Sequence, residues 1–265
     1  MASQPPQMPI MYNGLQPLSN LDHKTWKTRS SQEAPFLAKV HAVPILIDEF
    51  VAAQRFYPIV FSIGDNPVPL ALMGLNEGVN VFVDEKGVLL NPAYVPAYLR
   101  RYPFMLAKLQ PDSDSLSLCF DPTSGLVGDF EEGNPLFDGD QPSETTQNIL
   151  KFCEEFEMGA QRTNAFMEEL KKSDLLMDGE LTLQLSDNSQ PAIYRGFRMV
   201  DENKLRDMRG DELRKINQNG ILPLVMAHLF SLPLARDVYV RQLEQGKTQP
   251  PPPAESAAAG ETVIA

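Results

Sequence analysis

Apolar residues recur along one stretch in alternating steps of four and three: Ile149, Cys153, Phe156, Ala160, Thr163, Met167 and Leu170. On an α-helix that spacing forms a single stripe, and it predicts one long helix over residues 143–172. Upstream the period changes. Short apolar runs at 58–63, 69–75 and 79–83, with Asp84-Glu85-Lys86-Gly87 as turn chemistry, predict successive strands. Residues 104–109 and 116–120 predict two more. Pro44 opens a helix-like stretch over 45–56, with Leu46, Phe50 and Ala53 on one face. Beyond the long helix, 181–185 and 192–200 predict a hairpin around Asp187-Asn188, and 221–232 predict a closing helix. Strands cluster early and no βα unit repeats. The pattern therefore predicts an α+β fold: an antiparallel sheet meander packed against one long helix plus short helices.

Periodicity fails at both ends. Residues 1–34 are rich in Pro, Gln and Ser and read as a flexible N-terminal arm, with Trp26 as the one residue suited to dock on the body. Residues 247–265 contain Pro250 to Pro253 and then an Ala/Glu/Ser stretch, which reads as a disordered polyproline tail. A single domain is expected between them, over 35–246.

The chain carries 23 Lys and Arg against 35 Asp and Glu, a formal charge of −12. Such a surface repels phosphate backbones and anionic lipid, so neither nucleic acid nor membrane insertion is expected. The first residues lack a basic start followed by an apolar run, and no uninterrupted apolar stretch reaches bilayer length. The expected location is cytoplasmic. Two cysteines, Cys119 and Cys153, lie in apolar neighbourhoods and are expected to be buried free thiols; the rival is a single disulfide.

Catalytic signatures are missing. The sequence has no GxGxxG, Walker loop, GxSxG, HExxH or CxxC, and only three histidines, His23, His41 and His228. Asp138-Gly139-Asp140 with Glu144 echoes a calcium loop but lacks its ligand pattern, and a solvated turn before a helix is the expectation. Residues 129–157 hold nine acids and one lysine, which read as a solvated face, with a docking surface for a basic partner as the alternative. No catalytic residue, metal ligand or cofactor is assigned, and the reading leans away from an enzyme.

One segment stands out. Residues 91–104 contain three tyrosines, two arginines and three prolines. Pro96 suits the first turn of a short helix and Pro103 limits its end. On that helix Tyr98, Arg101 and Tyr102 share a face, and Arg100 falls outside it. A planar guanidinium walled by tyrosines suits a carboxylate or phosphate. Tyr94, Tyr98, Arg100, Arg101 and Tyr102 are therefore the candidates for binding a protein partner or a small anionic or aromatic ligand. The plainer reading is a helix pinned by aromatic packing, with Arg101 partly buried against a carboxylate.

Blocks around this segment carry a resemblance. Tyr57-Pro58-Ile59-Val60-Phe61, Ala71-Leu72-Met73-Gly74-Leu75, Asn80-Val81-Phe82-Val83 and Tyr94 through Phe104 resemble successive signature blocks of the bacterial SapC family. Leu136-Phe137, Gly196-Phe197, Val200-Asp201-Glu202 and His228-Leu229-Phe230-Ser231-Leu232 follow in order, so the likeness covers about residues 36–245. The resemblance implies association with bacterial surface layers, and with genes for TonB-dependent receptors, flavin-dependent halogenase-like proteins and cupin-like proteins. It implies no reaction. The leading expectation is a non-enzymatic binding or accessory protein linked to cell-surface or nutrient-uptake systems. The alternatives are an enzyme or enzyme subunit acting with a cupin-like or halogenase-like partner, and a surface-layer component.

Overall fold

The computed structural model describes residues 8–31, 33–90, 94–109, 115–185 and 191–247. The proline-rich tail beyond 247, the first seven residues and the expected hairpin tip at Asp187-Asn188 lie outside the described residues. The architecture is α+β, as the apolar pattern predicts, and the strand pairings are antiparallel.

Among the described residues the chain divides into two compact units, where the sequence reading expects one domain. The first joins residues up to 34 with 97–158, and the second joins 35–96 with 159 onward. The chain passes between the units after Ala34, after Pro96 and, inside the long helix Glu144–Lys172, between Met158 and Gly159.

The first unit shows why residues 8–31 are not a free arm. Gln16–Pro17 adds a strand to Ser117–Phe120, which pairs in turn with Phe104–Ala107. Lys27–Thr28 is the central strand between Val127–Gly128 and Asn134–Pro135. Strands of two residues have no alternation to read, so backbone pairing holds this segment without leaving an apolar period. Side chains add to it. Trp26 does dock: its ring centroid lies 4.4 Å from that of His23 and 5.9 Å from that of Phe120. The core comprises Phe104, Leu106, Phe120, Val127, Leu136 and Cys153, with Ile149 and Leu150 of the long helix packed on it. Asp138-Gly139-Asp140 spans the turn of a hairpin between Phe137–Asp138 and Gln141–Pro142, and Asp140 accepts a bond from Lys24 at 2.7 Å.

A five-stranded sheet organises the second unit, in the order Leu176–Asp178, Arg198–Val200, Ile59–Phe61, Pro69–Leu72, Ala42–Pro44. Pro44 thus ends an edge strand instead of opening a helix; proline lacks a ladder donor and is tolerated at an edge. The expected helix over 45–56 contracts to a 3-10 turn, Ile47–Glu49, and one short helix, Phe50–Ala53. The expected strand over 79–83 is instead a buried loop. There Asn80 donates to the Leu37 carbonyl (3.0 Å) and accepts from the Phe82 N–H (2.8 Å), so its amide replaces ladder bonds. Phe166 of the long helix packs its ring 6.5 Å from that of Phe61 on the sheet, and 6.0 Å from that of Phe50. The expected hairpin forms between Leu181–Leu183 and Ala192–Tyr194, and Arg198–Val200 leaves it to join the large sheet.

One described stretch, Ile221–Glu244, is long and apolar enough to cross a membrane, with a mean hydropathy of 1.4. The expectation of none arose because mean hydropathy tolerates charges that an uninterrupted run does not. Here the stretch breaks into helices Ile221–Ser231 and Leu234–Glu244, with Ile221, Val225, Ala235 and Val238 buried.

Candidate functional site

The tyrosine- and arginine-rich segment forms the expected short helix, Ala97–Arg101. Its phase separates the two arginines: Arg101 is 7% exposed, whereas Arg100 points to solvent. Tyr98 is 4% exposed and donates its hydroxyl to the Ile10 carbonyl at 2.9 Å. The Arg101 guanidinium sits in an aromatic cage, 4.1 Å from the ring centre of Phe156, 4.7 Å from that of Tyr98 and 5.9 Å from that of Tyr12. Each such contact contributes about 0.5–2 kcal/mol. The carboxylate facing Arg101 is Glu157, with Oε1 3.6 Å from Nη1, an ion pair too long for a strong hydrogen bond. Burial pushes the Glu157 carboxyl up, and the Arg101 charge opposes that push. Burial likewise raises the Tyr98 phenol, again opposed by Arg101. The Nε–H of Arg101 is buried and has no hydrogen-bond partner among the described residues.

The remaining candidates divide. Tyr102 follows the helix, and its hydroxyl donates to Asp121 Oδ2 at 3.4 Å. Burial, reinforced by the Asp121 charge, pushes its phenol well up. Asp121 is fully buried and also accepts from the backbone of Asn13 (2.8 Å) and Thr123 (2.8 Å). Tyr94 belongs to the second unit. There it donates to Glu49 Oε1 at 2.6 Å, and its carbonyl accepts from the Tyr57 hydroxyl at 2.8 Å. Tyr98, Arg100, Arg101 and Tyr102 thus stay together, without Tyr94.

Arg100, Arg101 and Tyr102 line a cleft of about 560 Å³ in the first unit. A third arginine, Arg29, joins them from the N-terminal segment. Its guanidinium lies 4.2 Å above the Phe130 ring, with Nε donating to the Gly125 carbonyl at 3.0 Å. Arg100 is stacked 5.1 Å from the Phe152 ring centre. Phe104, Ile149 and Phe152 supply apolar wall, and Ser31, Thr145 and Asn148 supply polar groups. Among the described residues no Asp or Glu lines this cleft, whereas the adjoining depression of about 620 Å³ contains Asp129, Glu131 and Glu132.

Sequence reasoning missed Arg29 because it reaches the cleft through a two-residue strand. Thr145, Asn148 and Phe152 were more accessible: they repeat at three and four along the helix, beside the core stripe.

Cys153, also on the cleft lining, is a free buried thiol raised to about 11, mainly by burial. It is therefore protonated near neutral pH and is not poised as a nucleophile. Cys119 is likewise free and buried. Among the described residues no group of three or more His, Cys, Asp or Glu is placed to hold a metal ion.

A family model for SapC matches residues 18–237, a span that includes residues of both units and every described residue lining this cleft. The chain belongs to the SapC family. The match begins earlier than the signature blocks do, in keeping with the folded role of the N-terminal segment in this SapC member. Comparison with curated proteins and with solved structures found no match.

The cage around Arg101 and the outward setting of Arg100 make different demands on stability. Arg101→Ala removes a buried cation and opens a void among three rings, and should cost roughly 2–4 kcal/mol. Arg101→Lys should rescue it poorly, because lysine lacks the planar fork. Arg100→Ala should cost under about 1 kcal/mol. Urea melts of the three variants provide the measurement, and equal losses at both positions would contradict the cage.

Proposed function

We propose that this SapC-family chain is a binding or accessory protein whose recognition site is the arginine-lined cleft of the first unit, and that what it binds is an anion. One observation supports this most: among the described residues, three arginines and no acidic side chain line a cleft of about 560 Å³, in a chain of net charge −12. A surface that negative repels anions at long range, so a locally cationic recess concentrates favourable potential in one place. Arginines held against rings lose less freedom on binding than free ones, which favours a preorganised site. The cleft volume lies within the range of small-molecule sites, roughly 300–1,000 Å³. We take the role to be an accessory one, in the cell-surface or nutrient-uptake systems that the family resemblance implies, exercised in the cytoplasm.

The test is affinity purification from the native host, with mass spectrometry of retained metabolites and proteins. Native protein should retain an anionic small molecule, and the double variant Arg29→Ala/Arg100→Ala should lose it while melting within a few degrees of the native chain. Retention unchanged in the double variant, or recovery of neutral or cationic metabolites alone, would refute the reading.

A further inference from the structure

We propose that a second copy of this chain docks on the outward face of the helix Ile221–Ser231, giving a two-fold dimer through the second unit. This is independent of the cleft, whose lining residues belong to the first unit.

The outward side of this helix is as apolar as its inward side. Inward, Val225, His228 and Ser231 are buried, and the last two bond to the sheet. At about 100° per residue, Leu222, Met226 and Phe230 fall on the far side in one stripe, with Pro223 and Pro233 beside them. Phe230 is 66% exposed, both prolines are exposed, and Leu222 and Met226 are half-buried. A surface helix ordinarily turns charged side chains to water, and a helix that is apolar all round is normally covered. Neighbouring helices extend the patch. Phe50–Ala53 and Gly210–Gln218 both pack on Ile221–Ser231, and they carry exposed Val51 and Leu213. Single exposed apolar residues are ordinary, whereas a contiguous set marks a docking surface.

Charge selects the occupant. The fifteen residues from Ile221 to Ala235 contain no Asp, Glu, Lys or Arg. Their one histidine, His228, is buried and held neutral near pH 7. Residues 202–247 as a whole hold eight Lys and Arg against six Asp and Glu, in a chain of net charge −12. Two copies of so negative a chain repel each other over most of their surface. At this face they approach with no like charges between them. An anionic lipid surface fits less well: the net charge opposes it, and the stripe has no Lys or Arg to meet headgroups. A strongly charged partner finds no complementary group there.

Shape points to the same occupant. Residues four apart form a ridge, and such a ridge packs into the groove beside an identical ridge on another helix. A two-fold axis makes one patch complementary to itself, so a single helix face serves both copies. Met226 lies at the middle of the stripe, and the axis brings it close to its own counterpart. Eleven residues of helix are about 16 Å long, short of the span of a standard interface burying about 800 Å² per partner, so the association is reversible.

Sedimentation of the full chain tests the proposal. Over about 1–200 µM the native protein should rise toward twice its chain mass of 29.6 kDa. Phe230→Glu should weaken association at least tenfold while melting within a few degrees of the native chain, since it removes a central aromatic and buries a carboxylate in the contact. Leu21→Glu, at a 90% exposed apolar position in the first unit, should dimerise like the native protein. Met226→Cys guards against a variant that merely misfolds: mild oxidation should give a disulfide-linked dimer, which the native chain, with Cys119 and Cys153 buried, should not form. A native chain still monomeric at the highest concentration would overturn the proposal. So would a dimer untouched by Phe230→Glu, equal loss in Leu21→Glu, or absence of the Met226→Cys cross-link. A monomer that sediments with phosphatidylglycerol vesicles through Phe230 would overturn it too, and would assign the face to lipid.

Discussion

Gly74→Ala is expected to destabilise the second unit by more than about 3 kcal/mol, enough to deplete soluble protein at 37 °C. A Cβ built at Gly74 would stand 1.9 Å from the Val79 carbonyl oxygen and 2.8 Å from its carbon. Those are backbone atoms, and the backbone there cannot easily yield. The N–H groups of Met73 and Gly74 both donate to the His41 carbonyl, at 2.7 and 2.9 Å, and the Val81 N–H donates to the Met73 carbonyl at 2.8 Å. Leu75 N–H donates to the buried Gln242 Oε1 at 2.6 Å. Moving Val79 aside therefore breaks bonds on both sides of the loop. Gly78 provides the control: it adopts φ of +77° with open space around its would-be Cβ, so alanine there should cost only about 1 kcal/mol of backbone strain. Chemical denaturation followed by circular dichroism measures both, and comparable losses at the two glycines would show that the loop can shift.

The second large effect is expected at His228, both on substitution and on acidification. The imidazole is fully buried on the helix Ile221–Ser231. Its Nε2 accepts from the Val200 N–H at 3.1 Å, so Nδ1 carries the proton and donates to the Ile59 carbonyl at 2.7 Å. One neutral ring thus ties two sheet strands to one helix. Ser231 extends the tie: its hydroxyl accepts from the Ile59 N–H at 2.8 Å and donates to the His228 carbonyl at 2.6 Å. His228→Ala strands a buried donor and a buried acceptor and leaves a cavity, a loss of roughly 3–5 kcal/mol.

Burial holds the His228 imidazole at about 4, with the bond to Ile59 resisting only in part. Its ordinary value in the unfolded chain is near 6.5. Between those values the unfolded chain binds the proton that the folded chain refuses, so stability rises with pH across that window. The contribution is fully present above about pH 6.5 and declines as pH falls toward 4, by roughly 3 kcal/mol in all. Melts of native protein at stepped pH should show that slope, and His228→Gln should flatten it. A native chain equally stable at pH 7 and pH 4.5 would contradict the neutral clamp.

Long-period features were legible before any coordinates. Twenty-nine residues of helix at one period announce themselves, because each turn repeats the same demand for burial. The inward setting of Arg101 and outward setting of Arg100 followed from helical phase alone, since five residues of helix separate adjacent side chains by about 100°. Free burial of Cys119 and Cys153 followed from their apolar neighbours.

What only the tertiary structure decided lies where bonds, not periods, hold the chain. Lys27–Thr28 carries Arg29 to the cleft by backbone pairing, and a two-residue strand leaves no alternation to find. Asn80 turns an apolar run into a buried loop by spending its amide on backbone groups that a strand would have paired. Tyr94 and Tyr98 lie four residues apart in sequence and in different units, since the border crosses the chain between Pro96 and Ala97 without any change in composition. Sequence by itself determined the residue types available for an anion site. Their convergence depends on contacts distant in the chain, which no local pattern encodes.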